Sequence, residues 1–396
     1  MTKYDVIFIG SGHACWHAAV TLKMAGKSVA LVDRDVLGGT CTNYGCDAKI
    51  LLDSPFEHID GLQNYQGLCV EAEYIVIGSG QRNFILDIPG KEYLHDSRDF
   101  LDVDEFPERL VIIGTGIIAM EFASIALKLG RKVDLIARGS DVLRNYPQAY
   151  VKKLVADMEC EGAVFHYGES TTSVEKTQDG LVVRTAGGSA LACDYVLNAA
   201  GRVANFEGMG LDALGIKASA RGIKVDDHMR TSVSNIFASG DCVEKRIPKL
   251  TPTAAFESDY IATQILGVNP NPIQYPAIPN LVFTLPRIAQ TGVSVEEAEA
   301  HPEQYRIARV PYGQMMLWNA RNEADVDITY IFDKQNLLVG AAIYGSDAGA
   351  WIDVLTIIIN CKLNAMALGS MIFAFPTSTY GLINTLLPQM MVPPQQ

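Results

Sequence analysis

Two stretches of the chain repeat one hydrophobic pattern. Near the N-terminus the apolar run Val6-Ile7-Phe8-Ile9 leads into Gly10-Ser11-Gly12, continues with helical spacing to Met24, and re-enters a strand-like run over 28–32 closed by Asp33. About a hundred residues later, 110–113 leads into Gly114-Thr115-Gly116, a helical stretch over 120–129 and a second run over 132–136. Short, wholly apolar runs bounded by glycine predict parallel strands buried on both faces. Each stretch therefore predicts strand, turn, helix and strand in succession. Further runs at 74–77, 195–199 and 236–238 end in small residues and suit the same sheets. After about residue 270 the pattern changes. Strands alternate with polar turns from 283 onward, then 348–360 and the final thirty residues predict helices, as in an α+β domain.

The expected fold is α/β, with two Rossmann-like dinucleotide-binding domains and a C-terminal α+β dimerisation domain. The boundaries are placed at 1–100 with 225–270, at 101–224, and at 271–396. A length of 396 residues suits two or three domains. With 48% hydrophobic and 19% charged residues the chain supports a large interior and excludes disorder. A formal charge of −13 repels a phosphate backbone, which removes nucleic acid from the expected partners. The start runs from Met1 straight into a strand without a basic, apolar leader, so a cytoplasmic location is expected. The apolar stretch at 354–360 is too short to span a membrane, and no membrane partner is expected.

The glycine turns carry the first candidate chemistry. Gly10 permits a tight turn, and Gly12 lets a pyrophosphate approach the N–H groups of the following helix. The third position of this fingerprint, usually Gly or Ala, is Cys15. Asp33 stands 21 residues after Gly12, where a carboxylate would hold a ribose hydroxyl. In the second fingerprint, Gly114-x-Gly116-x-x-Ala119, the last strand ends without an acid and is followed by Arg138 and Arg144. Arginines there suit a 2′-phosphate, so NADPH is expected, with NADH as the alternative. The plain alternative is that both are solvated surface charges.

The eight cysteines are scattered, and only Cys41 and Cys46 stand close together, in Gly38-Gly39-Thr40-Cys41-Thr42-Asn43-Tyr44-Gly45-Cys46. Two thiols five residues apart at a helix start can close a disulfide, and a helix N-terminus lowers a thiol pKa. A zinc half-site is the competing reading, but no second Cys or His cluster completes four ligands, and no metal is expected.

From Tyr4 to about Leu387 the chain resembles the pyridine nucleotide-disulfide oxidoreductase family, which includes glutathione reductase, dihydrolipoamide dehydrogenase and mercuric reductase. The resemblance implies that hydride passes from NADPH through FAD to the Cys41–Cys46 pair. Cys46 would be the flavin-facing thiol and Cys41 the interchange thiol. Lys49 matches the lysine beside the flavin ring, and Glu121 its carboxylate partner. The segment 236–242 looks like the second flavin motif, with Asp241 on the ribityl chain. Thr251 and Ala254, in the stretch that follows, would lie near the ring. Gly39, Thr40 and Gly80 complete the FAD set; Gly114, Gly116, Ile117, Arg138, Arg144 and Gly201 form the NADPH set. A homodimer acting on a small oxidised molecule is implied.

Three departures from the family pattern stand out. Between the redox helix and residue 74 only roughly 20 residues remain where the family has a long helix and more, so a shortened FAD domain is expected. The C-terminal His-Pro-x-x-x-Glu reads Phe375-Pro376-Thr377-Ser378-Thr379-Tyr380, and phenylalanine cannot transfer a proton. Ile117 stands where the family often has a tyrosine lid. The expected substrate is therefore a small disulfide such as glutathione disulfide, a small oxidant such as hypothiocyanous acid, or a metal ion. The alternatives are a dihydrolipoamide dehydrogenase-like enzyme and a catalytically impaired dinucleotide-binding dimer.

Overall fold

The computed structural model describes residues 2–34, 37–44, 70–315 and 323–392. It divides into two compact units, one of residues 1–84 and 201–274, the other of 85–200 and 275–396.

In the first unit the predicted apolar runs form a four-stranded parallel sheet. Its order is Ile236–Ala238, Val70–Ile77, Thr2–Ile9, Val29–Val32. Val6, Phe8, Val76 and Ala238 are wholly buried, which is why their runs carry no polar alternation. Full burial of the valine and phenylalanine side chains contributes about 1.5–3 kcal/mol each. The helices His13–Met24 and Thr251–Ile265 are joined where the Ala18 N–H donates to Ser258 Oγ at 2.9 Å.

The second unit repeats the parallel architecture with five strands, in the order Leu94–His95, Tyr195–Asn198, Arg109–Ile113, Lys132–Ala137, Ala163–Tyr167. An antiparallel meander follows, Thr171–Thr177, Gly180–Thr185 and Ala190–Cys193. The C-terminal part adds a five-stranded antiparallel sheet packed on the helix Ala348–Asn360, around the buried Trp351, Tyr330 and Phe332. That sheet is tied to the nucleotide-type part of the same unit by a hydrogen bond between the Tyr150 and Thr329 hydroxyls (2.7 Å), one from the Tyr344 hydroxyl to Asp157 (2.6 Å), and the Lys153–Asp327 ion pair. Among the described residues no helix is long and apolar enough to cross a membrane.

Candidate active site

The first glycine turn is built by sterics. Gly10 has φ +112°, and a Cβ there would lie 2.5 Å from the carbonyl oxygen of Gly78. No other residue type fits this position. Cys15, the unusual third member of the fingerprint, fills space that Gly78 leaves open, since a Cβ on Gly78 would lie 2.3 Å from its sulfur. Burial raises the Cys15 thiol pKa well above its ordinary value, so this sulfur is packing material. Gly12 is different. Its φ of −73° is open to any residue, and the helix it caps has no side-chain cap and no acid in its first turn. The orphan N–H groups and the missing side chain leave an anion cradle at the positive end of the helix.

Asp33 lies beside this turn. Its Oδ2 accepts from the Ser11 N–H at 2.8 Å and from Ser11 Oγ at 2.5 Å, while Ser11 Oγ accepts from the Gly38 N–H at 2.9 Å. One buried serine thus links the strand-end acid to the start of the segment that carries Cys41. The short helix Gly39–Tyr44 carries the exposed Thr40 and the half-buried Cys41. It begins against the turn: a Cβ on Gly39 would sit 2.7 Å from Gly12 Cα. The residues predicted to follow, Cys46 and Lys49, lie outside the described residues.

The second flavin motif meets the first in the same unit. Asp241 sits in a single helical turn, Gly240–Cys242, and its carboxylate accepts no hydrogen bond among the described residues. Thr251 opens the following helix, Ala254 is buried on it, and the Thr253 hydroxyl is buried without a partner. Gly80 has φ +67°, and a Cβ on it would meet nothing within 4 Å. A carboxylate that accepts no hydrogen bond among the described residues, an orphaned hydroxyl and an uncapped helix fit a polar cofactor with a pyrophosphate.

In the second unit Gly114 repeats Gly10, with φ +119° and the Ala199 carbonyl oxygen 2.3 Å from its absent Cβ. Gly116 repeats Gly12: φ is −83°, no side chain caps the helix Ile117–Lys128, and a Cβ would meet nothing within 4 Å. Ile117 opens this helix and is 37% exposed. Thr115 Oγ1 donates to the Asp141 carbonyl at 2.9 Å, and the Leu143 N–H donates to the Thr115 carbonyl at 3.0 Å. These bonds bring the arginine loop back onto the turn. Arg138 is exposed, and Arg144 is held at 3.1 Å by Asp141. Gly201, grouped with these by sequence, begins the second segment of the other unit, where its carbonyl accepts from the Phe84 N–H.

Glu121 lies on the helix after Gly116 and accepts from the Phe283 N–H at 2.8 Å. Burial raises its carboxyl pKa, and the Phe283 hydrogen bond opposes the rise. At the C-terminal end Phe375 is 77% exposed and packs edge-on against Tyr380 at 5.2 Å. Sequence reasoning missed Ser11, Ser258 and Glu257. Serine and glutamate have no visible signature until their partners, up to 240 residues away, are known.

The comparisons with known proteins decide the family. A profile described as pyridine nucleotide-disulphide oxidoreductase matches residues 4–67 and 58–258, and that of the same family's dimerisation domain matches 278–383. The chain belongs to the pyridine nucleotide-disulphide oxidoreductase family. It is 30% identical to a glutathione reductase of Burkholderia cepacia over 443 positions, covering 95% of this chain and 97% of that one. It is 27% identical to a dihydrolipoyl dehydrogenase of Haloferax volcanii over 450 positions, covering 95% and 94%. Both alignments are longer than the 396-residue chain, so both relatives carry residues with no counterpart here. The first profile matches in two pieces that meet at 58–67, within the expected shortening of the FAD domain. The fold is shared with the HOCl-induced flavoprotein disulfide reductase RclA of Escherichia coli, solved as a Cu(II) complex. The TM-score is 0.87 at 23% identity, over 98% of this chain and 99% of that one. Family membership makes the chain an NAD(P)H-dependent flavin disulfide oxidoreductase with FAD as its cofactor.

Proposed function

We propose that the chain is an NADPH-dependent reductase in which Cys41 and Cys46 form the redox pair and pass electrons to a small oxidised substrate. The observation that carries this reading is the seating of the Cys41 helix against the Gly12 turn, tied down through Ser11 and Asp33. A thiol-bearing helix built onto an anion cradle is what a flavin-linked dithiol requires. FAD, when bound, supplies two-electron transfer between a nicotinamide and a disulfide.

The protein's own residues divide the remaining work. The two uncapped helices bind the cofactor phosphates, Asp241 takes the ribityl chain, and Arg138 with Arg144 selects the 2′-phosphate. Lys49 and Glu121 steady the flavin edge. Once the pair is a dithiol, the Cys41 thiolate attacks the oxidised sulfur of a disulfide or of hypothiocyanous acid, forming a mixed species and expelling thiolate or hydroxide, which takes its proton from solvent. Cys46 then attacks Cys41, closing the disulfide and releasing the reduced product. Phe375, exposed at the C-terminal end, offers the leaving group no proton. Small oxidants that can draw their proton from solvent follow ahead of a bulky disulfide: hypothiocyanous acid, whose expelled hydroxide is protonated by water, or a metal ion, which the thiolates would ligate and which has no leaving group to protonate. The dimerisation-domain match over 278–383 supports assembly as a homodimer.

NADPH oxidation against a panel of disulfides, hypothiocyanous acid, quinones and metal ions tests the reading, with Cys41→Ser as control. Turnover with a small oxidant that disappears in the control is expected. Turnover that survives Cys41→Ser would mean flavin chemistry without the dithiol. The double variant Phe375→His with Tyr380→Glu is expected to raise the rate with glutathione disulfide by about 100-fold, the low end of what a positioned acid contributes.

A further inference from the structure

The turn that carries Asp241 is held by charges that no sequence motif announced. Glu257, wholly buried on the helix Thr251–Ile265, uses both carboxylate oxygens: Oε2 accepts from the Gly240 N–H at 2.7 Å and Oε1 from Lys245 Nζ at 2.5 Å. The Lys245 side chain is itself only 8% exposed. On the other side of Asp241, Lys249 Nζ donates to the Asp241 carbonyl at 2.8 Å. The backbone before and after Asp241 is therefore gripped by charged side chains, while its own carboxylate accepts none of these hydrogen bonds and acts on Lys249 only through its charge.

The same helix, with the residue before Gly240, also ties down the helix His13–Met24 that follows the first glycine turn. Ser258, next to Glu257, accepts from the Ala18 N–H at 2.9 Å, and Ser239 Oγ donates to the Ala14 carbonyl at 2.6 Å. Gly240, at φ +74°, presses onto the helix His13–Met24 so closely that a Cβ would lie 2.6 Å from that of Ala14. A buried ion pair contributes little net stability compared with apolar residues of the same size. Its presence here asks for another role, and orienting Asp241 supplies one.

We propose that Glu257, fixed by Lys245, is a positioning residue for cofactor binding: it sets the direction of the Asp241 carboxylate, with Lys249 bracing the far side. The inference rests on the reading of the protein as a flavoenzyme in which Asp241 meets the ribityl chain.

The test uses the full chain stripped of flavin, titrated with FAD by fluorescence quenching, alongside the thermal midpoint of the apoprotein. Glu257→Met leaves a buried ammonium unpaired and is expected to lower both midpoint and affinity. Lys245→Met with Glu257→Met removes both charges. Its midpoint should recover, while its Kd for FAD stays at least tenfold above that of the wild type. Adding Asp241→Asn to this pair should weaken binding by less than threefold further, because the carboxylate is already misdirected. Recovery of wild-type affinity together with the midpoint would make the ion pair merely structural and overturn the proposal. So would a double variant that fails to fold, or an Asp241→Asn effect that multiplies in full. If the wild type takes up no FAD, the flavoenzyme reading fails and this inference with it. Wild-type binding that the double variant matches overturns the inference alone.

Discussion

Gly10 and Gly114 occupy one backbone state, φ +112° and +119°, each with a carbonyl oxygen within 2.5 Å of where a Cβ would lie. Gly12 and Gly116 likewise cap helices that have no side-chain cap. Behind these shared turns the two sites part. The first is closed by Ser11 between Asp33 and Gly38, which draws the Cys41 helix onto the turn. The second has no acid at its strand end, and Thr115 instead gathers a loop bearing Arg138 and Arg144. The turn supplies a generic anion cradle. What the chain places beside it differs between the two sites, and under the proposed function that difference selects the nucleotide.

The largest expected effect comes from filling either first glycine. Gly10→Ala and Gly114→Ala each combine positive φ with a backbone clash, a cost of about 3 kcal/mol or more to the unit concerned. Gly10→Ala should yield protein with little flavin absorbance. Gly114→Ala should keep its flavin yet lose reduction by NADPH. The ratio of flavin to protein absorbance and a stopped-flow NADPH reaction check both, and swapped phenotypes would reverse the two assignments.

Next comes the arginine pair. Arg138→Ser with Arg144→Ser removes two charge-assisted contacts, worth about 1.5–3 kcal/mol each in favourable geometry and less at an exposed site. The KM for NADPH is expected to rise roughly 10- to 100-fold while that for NADH changes little. An equal loss for both nicotinamides would return the arginines to ordinary surface charge. Smaller again, Asp33→Asn weakens the Ser11 bridge by about 1–2 kcal/mol, read as a roughly tenfold weaker Kd for FAD with nicotinamide binding unchanged.

The smallest effect separates the two helices at one matching position. Five residues after Gly12 stands His17, and five after Gly116 stands Glu121. Burial disfavours the charged form at both, lowering the histidine and raising the carboxyl. For Glu121 the folded protein holds its proton more tightly than the unfolded chain. Burial therefore carries no penalty below the ordinary carboxylate pKa, and the cost grows as pH rises from there through the raised value. Glu121→Gln should remove this slope, so the gap in thermal midpoint between variant and wild type should widen from about pH 4 upward. A gap independent of pH would show that the carboxyl titrates as if exposed.

Both βαβ stretches, the strand runs at 74–77 and 236–238, and the helix over 348–360 were legible because buried parallel strands and packed helices print their periods directly on the chain. Gly10, Gly114 and Asp33 were legible for a similar reason: a strand-turn-helix fingerprint is local. The Glu257–Lys245 pair and the Glu121–Phe283 hydrogen bond were not. Each joins elements whose proximity only the tertiary fold creates, and a glutamate inside a helix looks like a solvated one until its burial is known. Cys15 reads as a flaw in the fingerprint, and only the slot left open by Gly78 explains it.

The most direct test is an anaerobic titration of the purified protein with NADPH, followed in the visible spectrum and repeated with Cys46→Ser. The wild type should start yellow, bleach on addition of NADPH, and gain a long-wavelength band from a thiolate beside the flavin. Cys46→Ser should bleach without gaining that band. A colourless protein, or a band that persists in Cys46→Ser, would contradict a flavin-coupled Cys41–Cys46 pair.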